Sequence, residues 1–237
     1  MVRLIAAVLI DRGNVVQTRE FRITNIVGNV DTAVKFFASW DVDEIALIDI
    51  SREPWDGMLK TVERVVDNVF LPVSVGGKIR TLDRIRDIML AGGDKIIVRD
   101  YARERPAFVT EVAEKYGSQA ICVGIDVGAD HRSAAQWANK MQRIGAGEIL
   151  LNSTVRDGTK QGFDLVAIET VSQCVSVPVI ALGGAGKVEH FAEAVEAGAS
   201  AVAAGNLLHY SEHSTIRAKQ AMIKAGIKVR ESFFNRV

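Results

Sequence analysis

The chain has 237 residues, 48% of them hydrophobic but only 6% aromatic, and 29 basic side chains balance 29 acidic ones. Zero net charge gives no electrostatic footprint for nucleic acid or an anionic membrane surface, and no apolar run is long enough to span a bilayer. The two cysteines, Cys122 and Cys174, are too few for a disulfide framework; each lies in an apolar run, which reads as small core residues in a reducing, cytoplasmic compartment.

Taken in order, the chain alternates short apolar runs with amphipathic ones. Arg3–Ile10 reads as a strand; a secretory leader is disfavoured because only Arg3 precedes the run and Asp11-Arg12-Gly13 ends it. Asp11–Val30 reads as a long polar loop, and Thr32–Trp40 as a helix with Ala33, Val34, Phe36 and Phe37 at helical spacing. Glu44–Ile50 is the second strand, followed by a helix over 55–69 with Leu59, Val62, Val65 and Val66 on one face. Pro72–Val75 is the third strand. Thr81 then caps a helix whose apolar face is Leu82, Ile85, Ile88 and Met89. The remaining pairs are Lys95–Val98 with Pro106–Tyr116, Ala120–Ile125 with Ala134–Ile144, Glu148–Leu151 with Leu165–Cys174, Val177–Leu182 with Val188–Ala197, and Ala201–Ala204 with Thr215–Ala225. Eight strand–helix units and an aliphatic composition predict one domain over 1–237, a (β/α)8 TIM barrel.

The two halves repeat. Leu71-Pro72-Val73-Ser74-Val75-Gly76-Gly77 precedes the same pattern at Val177–Gly183 by about 106 positions. At that offset Ala91-Gly92-Gly93 matches Ala197-Gly198-Ala199, and Ile97–Asp100 matches Ala203–Asn206. With a slip of two, Asp43–Leu47 matches Gly147–Leu151. The barrel therefore reads as two fused half-barrels. In the second half, Gly183, Gly184 and Gly186 follow a buried strand and open a helix, an arrangement that lets backbone amides approach a phosphate.

Reacting groups in such barrels sit at the C-terminal ends of strands. The candidates are Asp11, Asp49, Lys78, Arg99, Asp100, Asp126, Ser153, Asp157, Gly184, Gly205 and Asn206. Asp100 also suits a helix N-cap ahead of the region 103–116. At the opposite strand ends, Arg3, Glu44, Lys95 and Glu148 each immediately precede an apolar run. They read either as solvated strand starts or as a collar of paired charges around the barrel axis. His131, His209 and His213 lie in polar surroundings and read as surface groups rather than metal ligands. No metal or cofactor is expected.

Four segments carry a family resemblance: Val42–Ile50, Gly145–Leu151, Arg156-Asp157-Gly158-Thr159-Lys160, and Gly183-Gly184-Ala185-Gly186-Lys187-Val188-Glu189-His190-Phe191. Over nearly its whole length the chain resembles the cyclase subunit of imidazole glycerol phosphate synthase, a glutamine amidotransferase half that runs on ammonia from a glutaminase subunit. The resemblance implies that Arg3, Glu44, Lys95 and Glu148 gate ammonia at the barrel bottom, where the glutaminase docks. It also implies acid–base work by Asp126, substrate positioning by Ser153, Asp157 and Gly158, and phosphate binding by Gly183, Gly184, Gly205 and Asn206.

The chain also departs from that pattern. Leu9 stands where the family has a strand-one aspartate, leaving Asp11, two residues on, as the replacement candidate for the second carboxylate. In the first half, beside Gly77, Lys78 occupies the slot of Gly184, and Arg99-Asp100 the slots of Gly205-Asn206, where the family has small neutral residues. The stretch Val127–Ala135 is shorter than the family's excursion there. A divergent branch also ends strand one in an aliphatic residue, before a zone resembling Phe21–Asn29 here. It is associated with surface polysaccharides and with making an acetamidino group on a nucleotide sugar. The resemblance therefore points to an ammonia-using synthase acting on a phosphorylated sugar or nucleotide sugar. The histidine-pathway cyclase itself, or a weak barrel that activates a glutaminase, are the alternatives.

Overall fold

Short β-branched runs that cannot satisfy their backbone groups alone pair into a parallel sheet, and here the sheet closes. The computed structural model describes residues 1–20, 22–53, 55–210 and 213–230. The barrel strands are β1 (Arg3–Asp11), β4 (Glu44–Asp49), β5 (Val73–Gly76), β6 (Lys95–Val98), β7 (Ile121–Val127), β8 (Glu148–Ser153), β9 (Val179–Leu182) and β10 (Ala201–Ala204). Each pairs in parallel with the next, and β10 returns to β1 with Arg3 opposite Ala201, so no barrel edge remains open. Period-two alternation splits every strand. Leu4, Val8, Ile45, Leu47 and Val75 face the helices, while Ile5, Ala46, Ile97, Cys122, Leu150, Ile180 and Ala203 fill the axis.

Around this lie α1 (Val30–Ser39), α2 (Met58–Asn68), α3 (Leu82–Leu90), α4 (Asp100–Glu104), α5 (Ala107–Tyr116), α6 (His131–Arg143), α7 (Leu165–Ser172), α8 (Glu189–Glu196), α9 (Asn206–Tyr210) and α10 (Ser214–Lys224). Their starts follow side-chain capping. Thr81 accepts the N–H of Arg84 as expected, and Asn29, Asp130 and Asp164 do the same for α1, α6 and α7.

The half-repeat holds at the backbone. β5, β6 and α4 recur as β9, β10 and α9 at the offset of about 106 seen in sequence. Ala91 and Ala197 end α3 and α8 with nearly the same backbone angles (φ −74° in both). Gly92 and Gly198 then take φ +95° and +111°, turns open to glycine because a Cβ would clash there.

Asp11–Val30 is not a loop. β2 (Asn14–Arg19) and β3 (Arg22–Asn29) form an antiparallel hairpin that continues β1 past the barrel mouth. Arg12 and Gly13, both at positive φ, supply the tight turn from β1 into β2. Register shifts at Val15/Val16 and Gln17/Thr18 break the alternation that would announce these strands in sequence. Phe21 lies outside the described residues. Cys174 is exposed rather than core, whereas Cys122 sits on the axis, where burial pushes its thiol far up and keeps it protonated.

The C-terminal region is tied to the strand starts by a buried carboxylate. Asp43 accepts from the Leu4 N–H (2.8 Å), the Lys219 ammonium (2.7 Å) and Arg230 Nε (2.7 Å), with Lys219 almost fully enclosed. At the entry to β8, a Cβ on Gly147 would lie 2.1 Å from the Ser118 carbonyl oxygen, a backbone atom with nowhere to go. Gly147→Ala is therefore expected to lower stability by about 2 kcal/mol or more, read as a drop in urea midpoint at unchanged slope.

Candidate active site

The two ends of the barrel are chemically distinct. At the strand starts, Arg3 lies 2.6 Å from Glu44 and 2.5 Å from Glu148, and Lys95 lies 2.5 Å from Glu148 and 3.5 Å from Glu44. These contacts close a circuit of alternating sign across the axis, with Ser74 donating to the inner oxygen of Glu44. The side chains converge rather than splay. A charge so enclosed persists only when matched, and each of the four has two opposite neighbours. Above the circuit a cavity of about 10 Å³, lined by Ile5, Ala46, Ile97, Cys122, Leu150 and Ile180, has room for one water-sized molecule.

At the strand ends the mouth opens into a cavity of about 820 Å³. Of the sequence candidates, Asp11, Asp49, Gly77, Lys78, Arg99, Asp100, Asp126, Asp157, Gly158, Gly183, Gly184, Gly205 and Asn206 all line it. Ser153 does not. The period of β8 sends Glu148, Leu150 and Asn152 to the axis, so Ser153 turns outward into a small void beside Phe163, Asp164 and Ala167, its buried hydroxyl lacking a partner among the described residues. Asn152 takes the inward place, a residue that strand parity from Glu148 would have found. The glycines 183–186 precede a loop, since α8 begins only at Glu189; it is Gly205 that runs directly into a helix, α9.

Asp126 stands at the end of β7. Asn152 Nδ2 donates to one carboxylate oxygen at 3.1 Å and Arg99 Nη1 to the other at 3.0 Å. Burial pushes the Asp126 pKa up and outweighs the lowering by Arg99 and Asn152, leaving a carboxylate closer to neutrality than an exposed one. Asp100 is not a cap: Arg99 occupies the cap position of α4, and Asp100, its first residue, is held below the usual carboxylate range by hydrogen bonds from Arg99. Asp11 lies at the rim, 3.6 Å from Arg12, and Leu9 lines the cavity beneath it.

The hairpin is moored over the mouth. Thr18 donates to Asp157 Oδ2 (2.7 Å), Glu20 N–H donates to the Asp157 carbonyl (3.0 Å), and Asn206 Nδ2 donates to the Thr18 carbonyl (2.9 Å). Asp157 and Asn206 therefore position backbone as well as line the cavity. Arg22 and Ile23 of β3 join the lining.

The half-repeat breaks at the lip. Gly77 and Gly183 share φ +97° and +95°, and Gly184 follows at +99°, but its counterpart Lys78 holds a left-handed φ of +55° with a full side chain. Its ammonium donates to the Glu53 carbonyl (2.8 Å) and sits 3.9 Å from Asp49. At these matched slots the first half thus carries Lys78 and Arg99 and the second Gly184 and Gly205, while Lys160 of the second half also lines the cavity. Of the three histidines expected at the surface, His213 is exposed and His131 is partly exposed, 3.2 Å from Asp164, whereas His209 packs on Phe37, where burial pushes its pKa down to about 4. Among the described residues, no group of three or more His, Cys, Asp or Glu is placed to hold a metal, and no helix is long and apolar enough to cross a membrane.

The family described as "Histidine biosynthesis protein" matches residues 3–214. A Vibrio vulnificus protein, provisionally named imidazole glycerol phosphate synthase subunit hisF2, is 40% identical over 98% of this chain and 92% of its own length. Imidazole glycerol phosphate synthase subunits HisF of Pyrococcus furiosus (39%) and Chlorobium phaeobacteroides (38%) each match over 96% of this chain and 98% of their own.

Lys78→Gly removes a cation from the mouth and relieves a left-handed side-chain residue. Relief worth about 1 kcal/mol is offset in part by glycine's unfolded-state freedom, so stability stays level or rises; loss of stability in a urea titration would contradict this. For Asp126, the folded state binds its proton more tightly than the unfolded chain does, so its ionised form costs stability as pH rises through the folded pKa. Asp126→Asn is expected to melt no lower than wild type at neutral pH, the difference vanishing below about pH 4, where both states are protonated.

Proposed function

The chain belongs to the histidine biosynthesis protein family, as a cyclase-subunit member of the imidazole glycerol phosphate synthase type, and we propose that its substrate is a nucleotide sugar bearing an acetamido group. In this reading a glutaminase subunit docks on the N-terminal face. Ammonia enters through the Arg3–Glu44–Lys95–Glu148 circuit, crosses the apolar axis as a small neutral molecule, and meets substrate at the C-terminal mouth. The amide carbonyl oxygen leaves as water and nitrogen takes its place, with no change of oxidation state.

The observation that carries this reading is the unequal lip. Lys78 and Arg99 stand where the other half has Gly184 and Gly205. A diphosphate concentrates charge at one end of a ligand, and two cations on one side of a cavity suit it better than two separated monophosphates. Leu9 supports the same conclusion. Closing an imidazole ring calls for proton transfer on both sides, whereas amidine formation lets Asp126 relay protons on one side, taking two in turn from the attacking nitrogen and passing each to the carbonyl oxygen, which departs as water. The histidine-pathway cyclisation is the second reading. The comparisons with the Pyrococcus and Chlorobium subunits favour it, and Asp11 would then serve as second carboxylate.

The test supplies the barrel and its glutaminase with glutamine and, separately, an acetamido nucleotide sugar or the histidine-pathway phosphoribosyl intermediate, following products by mass spectrometry. Amidine from the first and no ring product from the second is the expected result; the reverse establishes the second reading. Asp126→Asn should lower turnover of the active pair by about a hundredfold or more while glutamine hydrolysis persists.

A further inference from the structure

Arg99 has no counterpart in the other half of the barrel, where Gly205 fills its slot. It reaches from the end of β6 to Asp126 at the end of the neighbouring strand β7, and its guanidinium is shared. Nη1 donates to Asp126 at 3.0 Å, while Nε and Nη2 donate to the two oxygens of Asp100 at 2.9 and 3.0 Å. The position is built for it. Gly124 faces the axis one inward step below Asp126, and a Cβ there would lie 3.3 Å from the Cβ of Arg99 and 3.5 Å from its Cγ. The glycine leaves the room in which the arginine lies over β7. The guanidinium is nonetheless partly open to the cavity, with 43% of its side chain exposed, on the lip that also carries Lys78. An anion entering that lip meets a guanidinium already spent on carboxylates.

We propose that Arg99 is a substrate-operated latch on Asp126: it ties the carboxylate while the mouth is empty, and an entering phosphate or diphosphate draws the guanidinium away and frees that oxygen. Arg99 is then a positioning residue acting through Asp126, and anion binding and Asp126 ionisation compete for one cation. The groups facing Asp126 are Arg99, Asp100 and Arg103 from the β6–α4 side and Asn152 from β8. Asn152 keeps its hydrogen bond when Arg99 leaves, so the carboxylate stays aimed at the cavity. Asp100 keeps the guanidinium from being lost to solvent. This inference rests on the reading of Asp126 as the acid–base group only for its catalytic consequence; the competition itself is a binding property.

A double-mutant cycle with inorganic pyrophosphate as probe, measured calorimetrically on the purified barrel, tests it. With Arg99 present, Asp126→Asn should tighten pyrophosphate binding about tenfold, because the guanidinium is released; in the Arg99→Gln background the same change should gain under about threefold, reflecting only the lost negative charge. Arg99→Lys should retain most of the coupling. Carbon-13 titration of the Asp126 carboxyl adds a readout that a purely structural role would not move: pyrophosphate should raise its midpoint more in wild type than in Arg99→Gln. Equal tightening in both backgrounds, or no pyrophosphate binding by the wild-type chain, would overturn the latch. If the coupling holds while Asp126→Asn retains turnover, the latch stands and the acid–base assignment fails.

Discussion

Four charges closed into a circuit at the strand starts are the interaction on which this barrel's polarity depends. Arg3, Glu44, Lys95 and Glu148 come from four strands, and each neutralises two neighbours. Removing any one would leave each of its two neighbours with a single opposite charge and the circuit unbalanced. The circuit therefore ties strand register to electrostatics: a slip of one residue in β1, β4, β6 or β8 would turn its charge outward among the helices. Above it the axis is mainly aliphatic, around a void of about 10 Å³.

The other end of the barrel is organised by a symmetry and its violation. The backbone repeats so closely that helix and strand limits recur, yet side chains at the lip do not. The departures lie in one half, around Lys78, Arg99 and Asp100, and they add charge where the other half relies on glycine. Lys78 keeps a left-handed backbone that glycine would occupy without strain, and Asp126 keeps an ionised form that burial disfavours. Each spends stability at the position where a ligand would recover it, the pattern expected of a binding site rather than of a structural core.

The hairpin connects these features. It continues β1 beyond the barrel, brings Arg22 and Ile23 over the mouth, and is held by Asp157 and Asn206, residues that sequence reading assigned to substrate alone. A ligand that contacts Asp157 or Asn206 would therefore also act on the hairpin's mooring.

By itself the sequence determined the barrel, its strand–helix alternation and the half-repeat, because these rest on local periodicity and on spacing that backbone geometry must respect; whether the four strand-start charges turn inward, spacing left open. Thr81 as a cap and Asp126 at a strand end follow from the same local rules. It did not determine what depends on partners far along the chain. The hairpin was hidden because bulges disturb its alternation and its register is set by β1. Ser153 and Asn152 could be told apart only by carrying the parity of β8 from Glu148 to the mouth. That Arg99 spends its charge on Asp126, through space that Gly124 leaves empty, was decided by the tertiary structure alone, since it is the parallel pairing of β6 with β7 that sets their ends side by side.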